Sequence, residues 1–484
     1  MLLKDVQTAP LLHNLPAYPV IDLFAGPGGI GEGFGSAIDD KGHRRFRSVV
    51  SIERDEFSHQ TLLLRHFVRQ FPSDEIHDDY YDFLAGKITE AELFLRHPDK
   101  HRHAQQSALQ ISLGPESHTQ VRQVIHDRLA GSERWALVGG PPCQAYSLVG
   151  RSRMMHRPDF EQDERHTLYR EYLRIIVDHR PPVFVMENVK GLLSATIEGK
   201  SAISHIVRDL SNPGWSSQAA SDLAYKLYSL SEEDLAEGDV DPRLFVVRAE
   251  EYGVPQARHR MFIVGIRSDL KVRPRTLCKQ KAPTVRDMIG LLPRIRSGLS
   301  RGEDSLEAWL AEVLKISTMG IRRQLNGAFY AGNVAQALDS SNLIKLGEPL
   351  TRSSTFYQAR PPQHELLRSL YDERLRILTG HEARGHMGSD LRRYLYAATF
   401  AEQTGNSPKL ADFPTALLPE HQNVELGRMG KMFSDRFRVQ IADRVSTTIT
   451  SHISKDGHYF IHYDPAQCRS LTVREAARLQ TFPD

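Results

Sequence analysis

Short apolar runs that end in glycine, proline or an acid recur along the first 270 residues. Val20, Ile21, Leu23 and Phe24 form the first, Arg47 to Phe57 holds a second that ends in Glu53, and Leu109 to Leu113 makes a third. Trp135, Ala136, Leu137 and Val138 follow, then VFVMENVKGLL from Val183 and YGVPQARHRMFIVGI from Tyr252. Each reads as a buried strand bounded by turn residues. Helical patterns lie between them: one starting near Gly31, a polar, His-rich insert from about His59 to Glu133, and an amphipathic stretch over Tyr169 to Val177. Strands alternating with helices predict an α/β fold with a doubly wound sheet. Beyond Ile266 the pattern changes to a basic stretch, helical segments such as HELLRSLYDERLRIL and DLRRYLYAATFAEQ, and then alternating strands from Ser434. The final RSLTVREAARLQTFPD reads as a turn and a helix bearing Arg474, Glu475, Ala476 and Leu479, which look structural.

A length of 484 residues predicts one large or two medium domains, and 40% hydrophobic with 25% charged residues fits an ordinary globular protein. No stretch approaches a membrane span, and Met1 to Pro19 has neither a long apolar core nor a basic start, so a cytoplasmic location is expected. The net charge of +2 decides nothing about a polyanionic partner, because basic residues can cluster locally, as at Arg151, Arg153 and Arg157 or Lys271, Arg273 and Arg275.

The candidate chemistry centres on VGGPPCQAYS. It places Cys143 behind two glycines and two prolines at the exit of a strand. Prolines stiffen that exit, and a cysteine serving only as core filler has no need of such a turn, whereas a nucleophile does. Three cysteines with no CxxC pair argue against a zinc ribbon and a disulfide framework. Glu187 and Asn188 close the VFVMEN strand, where a carboxyl can protonate a ring nitrogen, and Gln256, Arg258 and Arg260 precede the next strand, where cations favour a thiolate. Gly26, Gly28 and Gly29 form a tight βα turn suited to a nucleotide-like ligand, with Glu53 where such folds hold a ribose. His97, His101 and His103 have no cysteine or carboxylate in ligand spacing, and no metal is expected.

PPCQ, ENV and QARHR, in that order after DLFAGPGG, resemble the signature set of bacterial DNA (cytosine-5)-methyltransferases, over about Val20 to Ile266 and again from about Asp435 to Asp484. The resemblance implies a Rossmann-like methyltransferase domain over 1–270, a smaller target-recognition domain over 271–434, and a return segment over 435–484 that packs back on the first. It implies S-adenosylmethionine as methyl donor, with Phe24 against the adenosyl group, Gly26 and Gly28 near the methionine part, Glu53 on the ribose and Pro141 lining the pocket. Cys143 would add to C6 of a flipped-out cytosine, Glu187 would engage N3, Arg260 would hold O2, Arg258 would add positive charge and Gln256 would shape the site.

The implied partner is double-stranded DNA, bound by a monomer, with a cognate restriction endonuclease where the chain serves a restriction-modification system. The family's closing Gly-Asn-x-Val-Pro motif is not found before Asp484, so an inactive DNA-binding relative is one alternative. A tRNA cytosine-5 methyltransferase is another. The long segment after QARHR favours DNA.

Overall fold

The computed structural model describes residues 17–72, 76–142, 164–197, 200–216, 222–232, 241–325, 331–339, 350–355, 362, 364–420, 424–430 and 434–484. They fall into two compact units, one of residues up to 247 with 259–277, the other of 248–258 with 278–484.

The first unit is built on a sheet whose main strands are β1 (Tyr18–Leu23), β2 (Phe46–Glu53), β3 (Ala108–Gln110), β4 (Ala136–Gly139), β5 (Val183–Val189), β6 (Tyr225–Tyr228) and β7 (His259–Arg267), with the short strand Val246–Arg248 also paired to β7. They lie in the order β3-β2-β1-β4-β5-β7-β6. Neighbours are parallel from β3 to β5, and β7 runs antiparallel to both β5 and β6. This is the doubly wound α/β sheet the alternating pattern predicts. The strand order reverses between β1 and β4, and in such sheets ligands bind beyond the carboxyl ends of the strands at that point.

The helices of this unit are α1 (Gly29–Gly35), α2 (Glu56–Val68), α3 (Asp78–Leu84), α4 (Glu90–Arg96), α5 (Pro98–Gln105), α6 (His118–Leu129), α7 (Glu164–His179) and α8 (Ala202–Ser211). Ile21, Leu23, Val50, Ile52, Leu137, Phe184 and Met186 from the strands pack with Ile125, Tyr172 and Ile206 from α6, α7 and α8 in one core. Between β2 and β3, the His-rich stretch folds into α3, α4 and α5 around a smaller cluster of Phe67, Phe71, Leu93, Phe94 and Ala104. Among the described residues no helix is long and apolar enough to cross a membrane.

The second unit is mainly helical, with α9 (Val285–Ile289), α10 (Leu306–Leu314), α11 (Gly388–Thr404) and α12 (Val473–Leu479). Its core joins Trp309 and Val313 of α10, Leu391, Tyr394 and Phe400 of α11, and Phe413, Phe437, Val439 and Ile461. Residues 435–484 are gathered into this unit. The alternation from Ser434 forms only a two-residue strand, Ser446–Thr447, with isolated bridges at Val439 and Ile461. Polar alternation marks one-sided burial, and here irregular chain over a helical core provides it without a ladder of strands. Cys278 is exposed and Cys468 buried, both unpaired.

The helix that closes the chain is anchored by charge. Arg469 and Glu475 are each 1% exposed, and two guanidinium nitrogens meet the two carboxylate oxygens at 2.6 and 2.7 Å. Gln467 and the Ile295 carbonyl accept from the same guanidinium, and Glu475 also receives the Thr472 amide as a capping box. Burial raises the Glu475 carboxyl and Arg469 overcompensates, holding it well below the usual range. Glu475→Ala should therefore destabilise the second unit by about 3–5 kcal/mol, because it strands a buried cation; urea unfolding checks this, and a loss below about 1 kcal/mol would contradict it.

Candidate active site

Three residues in the turn after β1 take up left-handed backbone: Phe24 (φ 57°), Gly26 (φ 57°) and Gly28 (φ 94°). For a bulky residue such as Phe24 this conformation is strained, and such strain concentrates at functional sites. Gly28 has a second constraint, since a Cβ there would stand 2.9 Å from Leu62 of α2. Over Gly26 there is open space, and its N–H donates to Glu53 Oε2 at 2.8 Å. Glu53 Oε1 accepts the N–H groups of Arg54 and Asp55 at 2.8 and 2.7 Å. One carboxylate thus ties the end of β2 to the turn after β1 and keeps a lone pair on Oε2 for a further donor.

Beneath this turn lies a charge arrangement that periodicity does not reveal. Asp22 of β1 is fully buried, and neither carboxylate oxygen has a hydrogen-bond partner of good geometry. Burial raises its carboxyl to about 7 against the weaker pull of the Gly31 amide and of Arg69. A Cβ on Gly31 would stand 3.2 Å from both Asp22 Oδ2 and Ser48 Oγ, so this glycine makes room for polar atoms and is not needed for its φ. Glu32 of α1 pairs with Arg65 of α2 and with Arg69, which caps that helix, at 2.7 and 2.5 Å, locking the helix that follows the turn. Burial pushes the Glu32 carboxyl up, and the two guanidiniums more than offset it.

Beside β1, the exit of β4 is equally tight. A Cβ on Gly139 would lie 2.8 Å from the Leu23 carbonyl, and one on Gly140 would lie 2.8 Å from Glu187 Oε2. Asn188 is buried and donates from Nδ2 to the Pro141 carbonyl at 3.3 Å. Glu187 and Asn188 therefore line the segment leading to Cys143, which itself lies outside the described residues, as does 143–163 as a whole.

Antiparallel pairing of β7 with β5 sets Phe262 opposite Glu187 and Arg260 opposite Val189. Arg260 Nε meets Glu187 Oε1 at 3.0 Å, both side chains about a fifth exposed. The sequence places Arg260 before the strand, and in the structure it is the strand's second residue.

Gln256 and Arg258 fall in the second unit. Gln256 sits in a two-residue strand paired with Ser446–Thr447, is 1% exposed, and donates to the Leu479 carbonyl of α12 at 3.4 Å. Arg258 is half-buried, and its carbonyl accepts the Ala249 N–H. Of the residues the sequence singles out, the structure brings together Gly26 with Glu53, Glu187 with Arg260, and Pro141 with Asn188. The roles of Asp22 and Glu32 escape sequence reading, although Asp22 opens the DLFAGPGG motif and Glu32 follows it by three residues. His381 and His386 are buried and bonded to Thr472 and Ser470, as structural histidines are.

Residues 107–484 match the model of the C-5 cytosine-specific DNA methylase family. The chain is 30% identical to the Type II methyltransferase M.Bpa9945I of Bacillus paralicheniformis, over 96% of this chain and 91% of that protein. It is 25% identical to M.DdeI of Desulfomicrobium norvegicum over 58% of this chain and 49% of that one, and 24% identical to M.AgeI of Thalassovita gelatinovora over 72% and 75%. The chain belongs to the C-5 cytosine-specific DNA methylase family and is a DNA (cytosine-5)-methyltransferase by that membership.

Asp22 gives the site a pH signature. Its carboxyl holds a proton up to about pH 7 in the fold and only to 3.8 as an isolated group. Between those values the folded chain binds more protons than the unfolded one, so this group makes stability fall as pH rises, by at most about 1.4 kcal/mol per pH unit. Denaturant unfolding of Asp22→Asn should lose that component of the slope; an identical slope in both proteins would contradict it.

Proposed function

We propose that the chain methylates C5 of cytosine in duplex DNA through a covalent adduct between Cys143 and C6 of a base turned out of the helix. The observation that carries this is the Glu187–Arg260 pair at 3.0 Å, with Glu187 lying against Gly140, three residues before Cys143. Cytosine C5 is a weak nucleophile, so electron density must first be raised in the ring. Addition of the Cys143 thiolate to C6, with Glu187 protonating or hydrogen-bonding N3, does this. Arg260 holds O2 and keeps the Glu187 carboxyl oriented, Arg258 adds positive charge, and Gln256 braces the QARHR segment through its bond to α12. After C5 gains its methyl group, loss of the C5 proton and departure of the thiolate restore the aromatic ring.

The turn after β1 fits S-adenosylmethionine, which supplies an electrophilic methyl group when bound. Phe24 offers an apolar ring, Gly26 leaves open space above the backbone, and Glu53 Oε2 keeps an acceptor for a ribose hydroxyl. Pro141 lies at the neighbouring strand exit. We assign target recognition to the second unit, on the position of residues 271–434 between the QARHR strand and the closing motif. The relatives carry Type II methyltransferase names, which supports a role in protecting host DNA beside a cognate endonuclease. A cytoplasmic monomer remains part of the same proposal.

Incubation with labelled S-adenosylmethionine should place label on C5 of cytosine in duplex DNA and none on tRNA; label on tRNA alone would sink the assignment. Cys143→Ala should abolish transfer, and Glu187→Gln should lower kcat by about 10²–10⁴. Gly140→Ala should also slow transfer while leaving folding intact, because the added methyl displaces the Glu187 carboxylate. Wild-type turnover in that variant would show that the carboxylate position is not critical.

A further inference from the structure

The insert between β2 and β3 carries a second constellation, remote in sequence from the methyl-transfer motifs. His77 caps α3, Asp79 lies in the first turn of that helix, and His97 sits at the corner between α4 and α5. His77 Nδ1 and His97 Nε2 both lie 3.0 Å from Asp79 Oδ2, and the three ligand atoms are all within 4.8 Å of one another. The two rings stand 4.6 Å apart between centroids. The other carboxylate oxygen, Oδ1, is held by Arg96 at 2.5 Å, which turns Oδ2 towards the imidazoles.

The hydrogen bonds of this cluster do not close on themselves. His77 Nδ1 accepts the Asp79 backbone N–H at 3.1 Å, so it presents a lone pair. The same nitrogen faces Asp79 Oδ2, which also presents lone pairs, at 3.0 Å. Protonating Nδ1 satisfies the carboxylate and sets two N–H groups against each other. Either way one contact is repulsive, and a cation between the three atoms removes the conflict at the expense of one cap bond.

We propose that His77, Asp79 and His97 bind one divalent transition-metal ion of the zinc, cobalt or nickel kind. Two imidazoles and one carboxylate suit such borderline ions and not magnesium or calcium, which take oxygen ligands. Ligand bonds of about 2.0–2.2 Å need only small movements from the present separations. His97 and Asp79 are mostly buried, whereas His77 is half exposed, so the fourth position opens to water. Phe71 and Phe67 pack edge-on against the His97 ring and fix its plane. The Arg96 charge opposes a dication and limits affinity, which fits a structural ion in moderate exchange.

The ion would staple α3 to the α4–α5 corner, around the small cluster that includes Phe67 of α2. In sequence, His97, His101 and His103 have no cysteine or carboxylate in a ligand spacing, which is why no metal is expected there. In the fold His101 stacks on Phe94 at 4.1 Å, and His97 turns instead to residues about twenty positions earlier.

The test uses the untagged full-length chain, stripped with a chelator and titrated with cobalt(II) and then zinc(II). The expected result is one cobalt per chain with visible d–d absorption, displaced by zinc, and a rise in Tm of roughly 2–4 °C that saturates at one equivalent. His77→Asn keeps an acceptor for the helix cap and His97→Gln keeps bulk, so both variants should melt like the metal-free wild type and lose the absorption and the Tm rise. No stoichiometric binding at about 100 μM metal, binding that survives in both variants, or a thiolate-to-cobalt charge-transfer band would overturn the proposal.

Discussion

The first unit depends on the close approach of the two strands at the centre of its sheet. Leu23 of β1 is paired with Gly139 of β4, and the glycine is required because a side chain there would strike the Leu23 carbonyl. From this contact the two chain exits diverge, one into the turn bearing Phe24, Gly26 and Gly28, the other into the glycine-proline segment before Cys143. Parallel strands pointing the same way bring all of their carboxyl ends to one edge. Glu53 from β2 and Glu187 from β5 arrive at that edge for the same reason.

Around the glycine turn, buried charge does what packing alone could not. Glu53 ties three backbone N–H groups, so the turn holds its shape without a large side chain over it. Glu32 with Arg65 and Arg69 fixes the helix after the turn, while Asp22 underneath is left without a full partner and holds its proton to about pH 7. A carboxyl kept neutral inside a sheet avoids the larger penalty of burying a bare charge. The same balance is solved differently in the second unit, where Glu475 stays ionised because Arg469 meets it with two hydrogen bonds.

Two features of the helical insert and the second unit show how distant residues acquire a role. Gln256 belongs to the QARHR segment by sequence, yet its side chain serves α12, more than two hundred residues later. His77, Asp79 and His97 converge only because α3, α4 and α5 pack around one aromatic cluster.

The sequence by itself determined six strands of the sheet, the tight turns that end them and the residue types placed at their exits, but not the edge strand Tyr225–Tyr228, whose short run carries no comparable apolar signal. These are local properties: apolar runs mark burial, glycine and proline mark special backbone, and an acid or cysteine after them is visible in order along the chain. The placement of Gly26, Glu53, Pro141 and Glu187 at strand exits was legible for that reason. Tertiary structure decided which of those residues meet. The pairing of Glu187 with Arg260 follows from β7 inserting antiparallel beside β5, and the burial of Asp22 follows from β1 lying between β2 and β4. The convergence of two histidines on Asp79 follows from helix packing. Periodicity states how a residue faces its own element, while strand order and helix packing, fixed by contacts across tens to hundreds of residues, set its neighbours.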